Sequence, residues 1–458
     1  MQPPVIVGPI SATAGIRWPG LPHGRGTALL ALLYQIQQSQ WWPAAELRRQ
    51  QLRQLHALLS HCRDAVPYYR AALDAAGFDP GTLLTEAVWA RLPLLTREDI
   101  QNNGKALAAT TIPKGHGKTA SSTSSGSTGK PVTVRSTELS QLYWQAQTVL
   151  DHLWHRRDVT KTLAAIRSMA DDKGRYPDGG RARSWGPSTG AIFTTGPSVL
   201  LNVLTSIEDQ AEWLQRQDPE YLISLPTNVL QLAEYCREHG IKLVKLRQVE
   251  TLGGIVKPAV RAACREVWGV PLVDTYSANE IGYLALQCPD HDHYHVMAQG
   301  AAVEVIGDNG RPCGPGETGR VVVTPLHNYA MPLLRYEIGD YAELGPPCPC
   351  GRTLPVLARI HGRVRNMMTL PDGSKVSPTF VNDWFEGLPV AQFQILQHDT
   401  AHLEAKIVAK RPFEDGEAER AVAAIRSRLP ADFRVTLSFH DEIPRGPGGK
   451  YEDFKSAV

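Results

Sequence analysis

The sequence predicts a large mixed α/β domain, residues 1–363, followed by a small α+β domain, residues 364–458. The chain has 458 residues, well beyond the roughly 250–300 residues at which a single hydrophobic core stops growing. Short β-like runs alternate with helical patterns between residues 221 and 276, as in a parallel sheet covered by helices. Near Val364 the pattern restarts. A two-domain α/β fold follows from these observations.

The elements follow in order along the chain. Residues 1–25 are rich in Pro and Gly and form an arm without a core, whereas residues 29–76 and 138–156 have the apolar spacing of amphipathic helices. Residues 302–325 predict two antiparallel strands joined at the turn Asp308-Asn309-Gly310. Between these regions we predict strands at 221–224, 249–252 and 273–276, and helices at 229–239 and 258–268.

Composition excludes several functional classes. Lys+Arg 48 nearly balances Asp+Glu 46, giving a formal charge of +2, which argues against a nucleic-acid binder. No run reaches the roughly 20 apolar residues of a membrane helix, so no membrane partner is expected. Seven cysteines in so long a chain suggest a reducing compartment. The composition predicts a cytoplasmic enzyme.

A hydroxyl- and glycine-rich run is the strongest functional signal in the sequence. Free backbone amides and hydroxyls in such a loop form a concave site for phosphate groups. A Walker loop is excluded because Lys130 is followed by Pro131, which favours extended backbone before it. We therefore predict a phosphate loop that leads into a strand at residues 132–135; the alternative is a flexible Ser/Gly linker. The run comprises Ser124, Ser125, Gly126, Ser127, Thr128, Gly129 and Lys130.

Four further clusters lie downstream of this loop. The segment 276–280 ends in Glu280 and follows a strand, where open α/β sheets bind ligands. The segment 336–340 places a second carboxylate, Asp340, after a turn, and residues 360–363 end in Arg363. A glycine-rich segment near the carboxyl terminus carries Lys450. Each cluster alone has an ordinary explanation as a strand end, a turn or a solvated lysine.

Taken together and in this order, the clusters resemble the adenylate-forming superfamily, which comprises acyl- and aryl-CoA ligases, peptide-synthetase adenylation domains and luciferases. The resemblance spans residues 121–450. Within the superfamily the chain most resembles the phenylacetate–CoA ligase family. Two segments carry that likeness: residues 61–70 (HCRDAVPYYR) and residues 348–355 (CPCGRTLP).

The resemblance implies a role for each candidate residue. Residues 124–131 would hold the β- and γ-phosphates of ATP, and Glu280 would bind Mg²⁺. Asp340 would accept hydrogen bonds from the ribose, with Arg363 nearby. Lys450 would bridge the carboxylate and the α-phosphate in the transition state. The adenine would lie against Tyr276 and the backbone of Gly253 and Gly254, with Ser277 and Asn279 completing the nucleotide site.

The resemblance also implies the chemistry. A carboxylic acid, aryl or acyl, attacks ATP to give an acyl adenylate and pyrophosphate, and CoA then displaces AMP to form a thioester. The small domain rotates between these steps about a hinge beside Arg363. Alternative acceptors are a carrier-protein thiol, an amine or another small nucleophile, and a non-catalytic nucleotide-binding relative is a further alternative. The likeness also suggests a homodimer.

Two stretches depart from the family pattern. Arg365-Asn366 replace two acidic residues after the Gly-Arg pair, so the hinge should differ in its electrostatics. Ile255-Val256 stand where an acidic residue near Gly254 often contributes to the substrate pocket. We therefore expect the acyl pocket, and even the acceptor, to differ from the aryl-acetate pattern.

Cysteine and histidine pairs predict a structural metal site. Cys288-x-x-His291 and Cys348-x-Cys350 are chelating pairs whose ligand types suit tetrahedral zinc. Four protein ligands would close the coordination shell and tie the segment after Glu280 to the segment after Asp340. His291 is chosen for its compact spacing; if the chain arrives as a β-strand, His295 reaches as easily. The alternative is a set of buried thiols without metal.

Two other histidines, His152 and His155, lie on the predicted helix at 138–156. A general-base role is conceivable for either of them. We interpret both as surface histidines whose hydrogen bonds are satisfied.

Overall fold

A computed structural model describes residues 8–123, 131–169, 172–363, 367–373, 375–376, 378, 382–444 and 451–458. The predicted phosphate-loop residues Ser124–Lys130, the hinge residues Arg365 and Asn366, and the predicted catalytic Lys450 lie outside these ranges. The conclusions below concern the described residues.

Several helices begin at side-chain caps that the sequence encodes. In two of them, Thr96 with Asp99 and Thr137 with Ser140 form reciprocal capping boxes that satisfy otherwise unpaired backbone N–H groups. Within the described residues the α-helices are α1 (Gly24–Ser39), α2 (Ala44–Ala65), α3 (Arg70–Ala75), α4 (Glu86–Arg91), α5 (Arg97–Leu107), α6 (Glu138–Trp154), α7 (Ile207–Gln217), α8 (Pro226–Glu238), α9 (Pro258–Ala263) and α10 (Glu417–Arg426).

The strands form one large sheet and three smaller ones. They are β1 (Thr119–Thr123), β2 (Thr133–Thr137), β3 (Leu163–Arg167), β4 (Gly180–Ala182), β5 (Ser198–Asn202), β6 (Tyr221–Ser224), β7 (Gln248–Leu252), β8 (Leu272–Ala278), β9 (Gly282–Gln287), β10 (Tyr294–Val296), β11 (Ala301–Ile306), β12 (Thr318–Pro325), β13 (Tyr336–Leu344), β14 (Val356–Arg363), β15 (Met368–Thr369), β16 (Lys375–Val376), β17 (Val390–Asp399), β18 (His402–Ala409), β19 (Arg434–Phe439) and β20 (Phe454–Ser456).

The large sheet is mixed, with strand order β11-β12-β13-β14-β10-β9-β8-β7-β6-β3-β5-β4. The run β5-β3-β6-β7-β8 is parallel, and β8 through β11 continue the sheet in antiparallel pairs. The α/β prediction is therefore confirmed, including the antiparallel pair formed by β11 and β12. Because β7 and β8 are parallel neighbours, their carboxyl ends meet at one edge of the sheet.

The predicted phosphate loop is carried by a separate hairpin. β1 and β2 pair antiparallel, with Thr123 opposite Thr133 on either side of residues 124–130. The prediction that the loop leads into a strand is thus confirmed on its downstream side. Val132 and Val134, on the downstream side of the loop, are buried. Thr137 at the end of β2 is also the N-cap residue of α6.

Apolar clusters lie on both faces of the parallel strands, which explains their continuous hydrophobic sequences. On one face Ile166, Leu222 and Val249 pack with Trp213 of α7 and Leu232 of α8. A larger cluster on the other side includes residues of α2, α5 and α6. No helix among the described residues combines the length and apolar character needed to cross a membrane.

The carboxyl-terminal residues have their own small sheet and core. β19-β18-β17-β20 form a four-stranded sheet in which β17 and β18 are antiparallel and the outer strands pair parallel. Ile395, Phe433 and Phe454 belong to an apolar cluster composed of residues from 368 onward. This matches the predicted α+β unit, whose boundary at residues 363/364 stays a prediction.

Candidate active site

The predicted adenine-side residues lie at the adjoining ends of β7 and β8. Gly253 and Gly254 follow β7, and Gly253 has φ +71°, a left-handed backbone conformation that favours glycine. Tyr276 and Ser277 belong to β8, and Asn279 and Glu280 follow directly. The sheet topology therefore brings these predicted residues to one edge, as expected for a ligand site in an open α/β sheet.

Asp340 is held by two partners that the sequence also singled out. The Tyr276 hydroxyl donates to Asp340 Oδ2 at 2.8 Å, and Arg363 Nε lies 3.2 Å from Asp340 Oδ1. Burial, with the adjacent Asp340 carboxylate, raises the pKa of Tyr276, so its hydroxyl stays protonated and donates. The Asp340 carboxylate is thus fixed in orientation on the buried side of the site.

The predicted position of Asp340 after a turn is wrong. It lies in the middle of the nine-residue strand β13, directly opposite Arg363 at the end of β14. Gly339 has φ +81°, yet β13 continues through it, so no turn precedes Asp340. The cross-strand pairing explains how two residues far apart in sequence reach the same site.

Sequence reasoning missed Arg97 beside the predicted magnesium ligand. Arg97 Nη1 lies 3.9 Å from Glu280 Oε1, and the Glu280 side chain is 8 % exposed. Arg97 is the first residue of α5, immediately after the capping Thr96. The capping box could have identified the start of this helix, but not that its first residue faces Glu280, because that contact depends on tertiary packing.

The unusual Ile255 lies beside the nucleotide residues. A Cβ built on Gly362 would lie 2.5 Å from Ile255 Cδ1, so Ile255 packs directly against the glycine that precedes Arg363. The nearby Lys257 forms an ion pair with Asp453, just before β20. Ile255 therefore packs against the end of β14, two residues before the Lys257 that pairs with Asp453.

Three predicted metal ligands come together, with one correction. Cys288, Cys348, Cys350 and His295 offer ligand atoms that all lie within 4.8 Å of one another. His291 is exposed and does not belong to this group, so the compact Cys-x-x-His choice is not what the geometry selects. The reason is the one anticipated for His295: residues 294–296 form β10, which pairs with β9 and β14 and carries His295 inward. We call these four residues the cysteine cluster.

The cysteine cluster has dimensions that suit zinc. Cys288 Sγ and Cys348 Sγ are 3.8 Å apart, close to the edge of about 3.8 Å of a tetrahedron with Zn–S bonds of about 2.3 Å. Cys350 Sγ lies 3.4 Å from His295 Nε2. Burial lowers the pKa of His295 to about 4, so the ring is neutral at pH 7, the form that binds metal. The donor set and its spacing fit the predicted site.

The cysteine cluster also contacts the amino-terminal helices. Arg352 Nη1 lies 3.4 Å from Cys350 Sγ, and its guanidinium stacks on Trp154 and Trp41. Its Nε donates to Gln40 Oε1 at 3.0 Å, just beyond α1. The cluster is thus positioned to join the loop between β13 and β14 to the helical layer.

A second buried group of titratable residues lies between α6 and β7. Arg157 pairs with Asp151 and lies 3.3 Å from Glu250 Oε2 and 2.9 Å from His152 Nδ1. We call Asp151, His152, Arg157 and Glu250 the ionic cluster. The interpretation of His152 and His155 as surface residues is wrong. His152 is buried, and burial with nearby Arg157 lowers its pKa to about 3. The side chain of His155 is 5 % exposed, and burial lowers its pKa to about 4. The Asp-His pair in α6 with an arginine five residues later was the available signal.

Comparison with solved structures places the chain in the fold of the adenylate-forming ligases. It matches 2-hydroxyisobutyryl-CoA ligase in the postadenylation state with a TM-score of 0.69, 18 % identity, and coverage of 91 % of this chain and 90 % of that one. An anthranilate CoA ligase in complex with anthranoyl-AMP matches with a TM-score of 0.56, 16 % identity, and coverage of 80 % and 74 %.

Curated proteins with similar sequences are phenylacetate-coenzyme A ligases. The phenylacetate-coenzyme A ligase of Thermus thermophilus is 28 % identical, over 89 % of this chain and 96 % of that protein. The enzyme of the same name from Escherichia coli is 24 % identical, over 71 % and 73 %. Residues 368–456 match the CapK C-terminal domain family. The predicted resemblance to adenylate-forming enzymes, and to phenylacetate–CoA ligases among them, is confirmed.

Proposed function

We propose that the protein activates a carboxylic acid with ATP, releasing pyrophosphate, and transfers the acyl group from the acyl adenylate to CoA. The observation that carries this proposal is the convergence of Tyr276, Asp340 and Arg363 with Glu280 at one edge of the sheet. The relatives named phenylacetate-coenzyme A ligase support the same chemistry. An AMP-forming acid–thiol ligase accounts for both the arrangement of these four residues and the names of the relatives.

The nucleotide would be oriented by the residues at the end of β8 and by Asp340. Asp340 presents a carboxylate held by Tyr276 and Arg363, so it can accept hydrogen bonds from the ribose without reorienting. Ser277, Asn279 and the backbone of Gly253 and Gly254 would complete the nucleotide site. The hairpin β1–β2 places both ends of the predicted phosphate loop beside this edge, near Ser122 and Glu280, which line one cavity.

Lys450 is the proposed catalytic residue of the adenylation step. A cation beside the α-phosphate stabilises the negative charge that develops during attack by the carboxylate, an effect often worth about 10² to 10³ in rate. Asp453, three residues further along, pairs with Lys257 near the nucleotide edge. This contact between residue 453 and the segment after β7 supports the proposal. The division at 363/364 and the rotation of residues 364–458 are parts of the same proposal.

Two metal sites belong to the proposal. Glu280 would hold Mg²⁺, an ion that prefers carboxylate and phosphate oxygens and would neutralise charge on the phosphates. Arg97 lies on the same carboxylate and would balance its charge when no cation is bound. The cysteine cluster would hold structural Zn²⁺, and reduced cysteines of this kind accord with a cytoplasmic enzyme. A carrier-protein acceptor and a homodimer stay predictions from the sequence.

The test is carboxylate-dependent release of pyrophosphate from ATP, measured on an acid panel with and without CoA. We expect multiple turnovers only with CoA, leaving AMP and a thioester. Lys450→Ala should reduce pyrophosphate release by about 10² to 10³, whereas ATP binding should change by only a few-fold. Lys455→Ala, in an exposed pair with Glu452, is the matched control and should retain full activity.

Each outcome has a distinct meaning. Unchanged turnover of Lys450→Ala would remove that lysine from the mechanism. A single-turnover burst that ignores CoA would keep adenylation but require another acceptor. No pyrophosphate from any acid would overturn the proposed function.

A further inference from the structure

An ion pair joins the nucleotide side of the large sheet to the end of the chain. Lys257 lies shortly after β7 and the glycines Gly253 and Gly254, and it is the N-cap residue of α9. Its ammonium pairs with the carboxylate of Asp453, just before β20. The pair therefore links two segments that are 196 residues apart in the sequence.

Asp453 is held on its own side by the backbone of β17. The amide of Ile395 donates to the carbonyl of Asp453 at 2.8 Å, and Gln394 Nε2 donates to the carbonyl of Glu452 at 2.7 Å. β20 then continues as a parallel neighbour of β17, with Phe454 opposite Ile395. The Asp453 carboxylate is thus attached to the small carboxyl-terminal sheet and moves with that sheet.

Lys257 is attached in the same way to the nucleotide side. Pro258, the next residue, begins α9, and Ile255, two residues earlier, packs against Gly362. The side chains of Lys257 and Asp453 are 22 % and 26 % exposed, so both members of the pair are partly buried. Salt screens a partly buried pair less than a fully exposed one. Neither charge is a freely solvated surface group.

The two parts that the pair joins share no apolar cluster among the described residues. The clusters of the large sheet contain residues up to 360, whereas the cluster of the small sheet begins at Met368. Where α7 and α8 face the small sheet, Ile207 and Gln231 line a groove with Gln392, and its empty volume is ≈ 800 Å³ including the part open to solvent. Parts that share no large apolar interface are expected to move relative to one another, so a charged pair between them has more influence on their position.

Asp453 comes three residues after Lys450, the proposed catalytic residue. Because an extended chain advances by at most about 3.6 Å per residue, the Cα atoms of these two residues cannot be more than about 11 Å apart. Lys450 must approach the α-phosphate during adenylation, and a carboxylate held by Lys257 keeps the chain close to the nucleotide edge. The proposed rotation of residues 364–458 before thioester formation would break the pair.

We propose that Lys257 and Asp453 are positioning residues for the adenylation step. Their ion pair stabilises the arrangement in which the chain around Lys450 lies at the nucleotide edge, and the pair opens when the acyl group is transferred to CoA. This inference rests on the proposed function. The pair acts through Lys450 and sets the balance between the two half-reactions.

The experiment measures the two half-reactions separately. Adenylation is followed as pyrophosphate release in a single turnover without CoA, and thioester formation starts from added acyl adenylate and CoA. Asp453→Asn removes one charge and keeps the size of the side chain. We expect the ratio of the adenylation rate to the thioester rate to fall about fivefold, the upper end for a partly exposed ion pair. This ratio follows the equilibrium between the two arrangements, whichever of them predominates.

Exchanging the two charges separates positioning from a merely structural role. Lys257→Glu alone places two carboxylates together and should lower the ratio further than Asp453→Asn. Lys257→Glu combined with Asp453→Lys restores an ion pair and should return the ratio to within about twofold of wild type. Lys455→Met, which removes the pair with Glu452 inside the carboxyl-terminal part, is the matched control and should leave the ratio unchanged. Thermal unfolding verifies that each variant is folded. A ratio that Asp453→Asn does not change, or that the exchange does not restore, would overturn the positioning role.

Cross-linking tests the contact without any turnover. Lys257→Cys with Asp453→Cys is treated with a short bis-maleimide, and mass spectrometry detects the link between the two positions. Val244→Cys with Asp453→Cys is the control: Val244 is 83 % exposed and lies beyond the opposite end of β7, so it should not link. We expect the linked protein to release pyrophosphate once and to form no thioester.

The outcomes distinguish this inference from the proposed function. Absence of the link between positions 257 and 453, or thioester formation by the linked protein at the wild-type rate, would overturn the positioning role and keep the ligase. A link that forms readily in a protein that releases no pyrophosphate from any acid would overturn the ligase and keep the contact between the two residues.

Discussion

The cysteine cluster and the ionic cluster are both buried groups of potential metal ligands, yet they balance their charge in different ways. In each, three or four ligand atoms lie within 4.8 Å of one another. The ionic cluster has its own cation, since Arg157 contacts Asp151, Glu250 and His152. Among the described residues, the group of four ligands in the cysteine cluster includes no Lys or Arg, and Arg352 contacts Cys350 from outside the group.

This difference explains why only one of the two is proposed as a metal site. A guanidinium that already contacts the carboxylates and an imidazole occupies the position that a metal ion would need. Three thiols and an imidazole at tetrahedral spacing instead suit a divalent ion, which favours the thiolate form. Ligand type and proximity therefore do not identify a metal site until the neighbouring charges are counted.

Removing the internal cation should have the largest effect on stability. Arg157→Met leaves Asp151 and Glu250 buried without a counter-ion, and breaking a buried ion pair in this way typically costs about 3–5 kcal/mol. We expect a loss of that size in the free energy of urea unfolding. Arg216→Met, which removes an exposed pair with Glu212, is the matched control and should cost less than about 1 kcal/mol. Equal losses in both variants would contradict the role assigned to Arg157.

Removing one ligand of the cysteine cluster should have the next largest effect. Zinc should co-purify at about one per chain and be lost in Cys350→Ser, with a decrease of about 2–3 kcal/mol in stability, the linkage expected when free zinc exceeds its Kd about hundredfold. Metal content is measured by plasma emission and stability by urea unfolding. Cys313→Ser, outside the cluster, should retain zinc. Wild-type protein that is fully stable without metal would refute the zinc site. Equal loss of zinc in Asp151→Asn would mean that the ionic cluster, too, affects zinc binding.

The smallest effect concerns pH. Burial raises the pKa of Glu250 to about 7, opposed by Arg157 and supported by the nearby Asp151 and Asp274. Between the unfolded value near 4.5 and about 7, the folded protein then binds more protons than the unfolded chain, so this group loses stabilising effect as pH rises. Glu250→Gln cannot ionise, so its stability relative to wild type should increase as the pH rises from 4.5 through about 7 and then level off.

This pH prediction is measured as the difference in unfolding free energy between wild type and Glu250→Gln across that range. Glu212→Gln, at an exposed glutamate, controls for the substitution and should give a flat difference. If the difference in unfolding free energy for Glu250→Gln also does not change with pH, Arg157 keeps Glu250 ionised across this range. Asp151, Arg157 and Glu250 would then all be charged.

The sequence predicted much of this architecture because its signals are local. Strand–helix alternation, the proline after Lys130 and the chelating cysteine pairs depend on neighbouring residues. The choice of His295 over His291 depends on the pairing of β10 with β9 and β14, which no local spacing reveals. Asp340 was predicted to follow a turn, whereas β13 continues through Gly339 to Leu344. Arg97 gave no signal in the sequence, since its significance lies in its contact with Glu280.

Arg363 is the last residue of β14 and is held there by three contacts. Its backbone is paired with Asp340, its Nε lies 3.2 Å from the Asp340 carboxylate, and its Nη1 donates to the carbonyl of Ile338. These three contacts hold the last residue of β14 firmly to β13. The proposed rotation of residues 364–458 would therefore leave the contact between Arg363 and Asp340 in place.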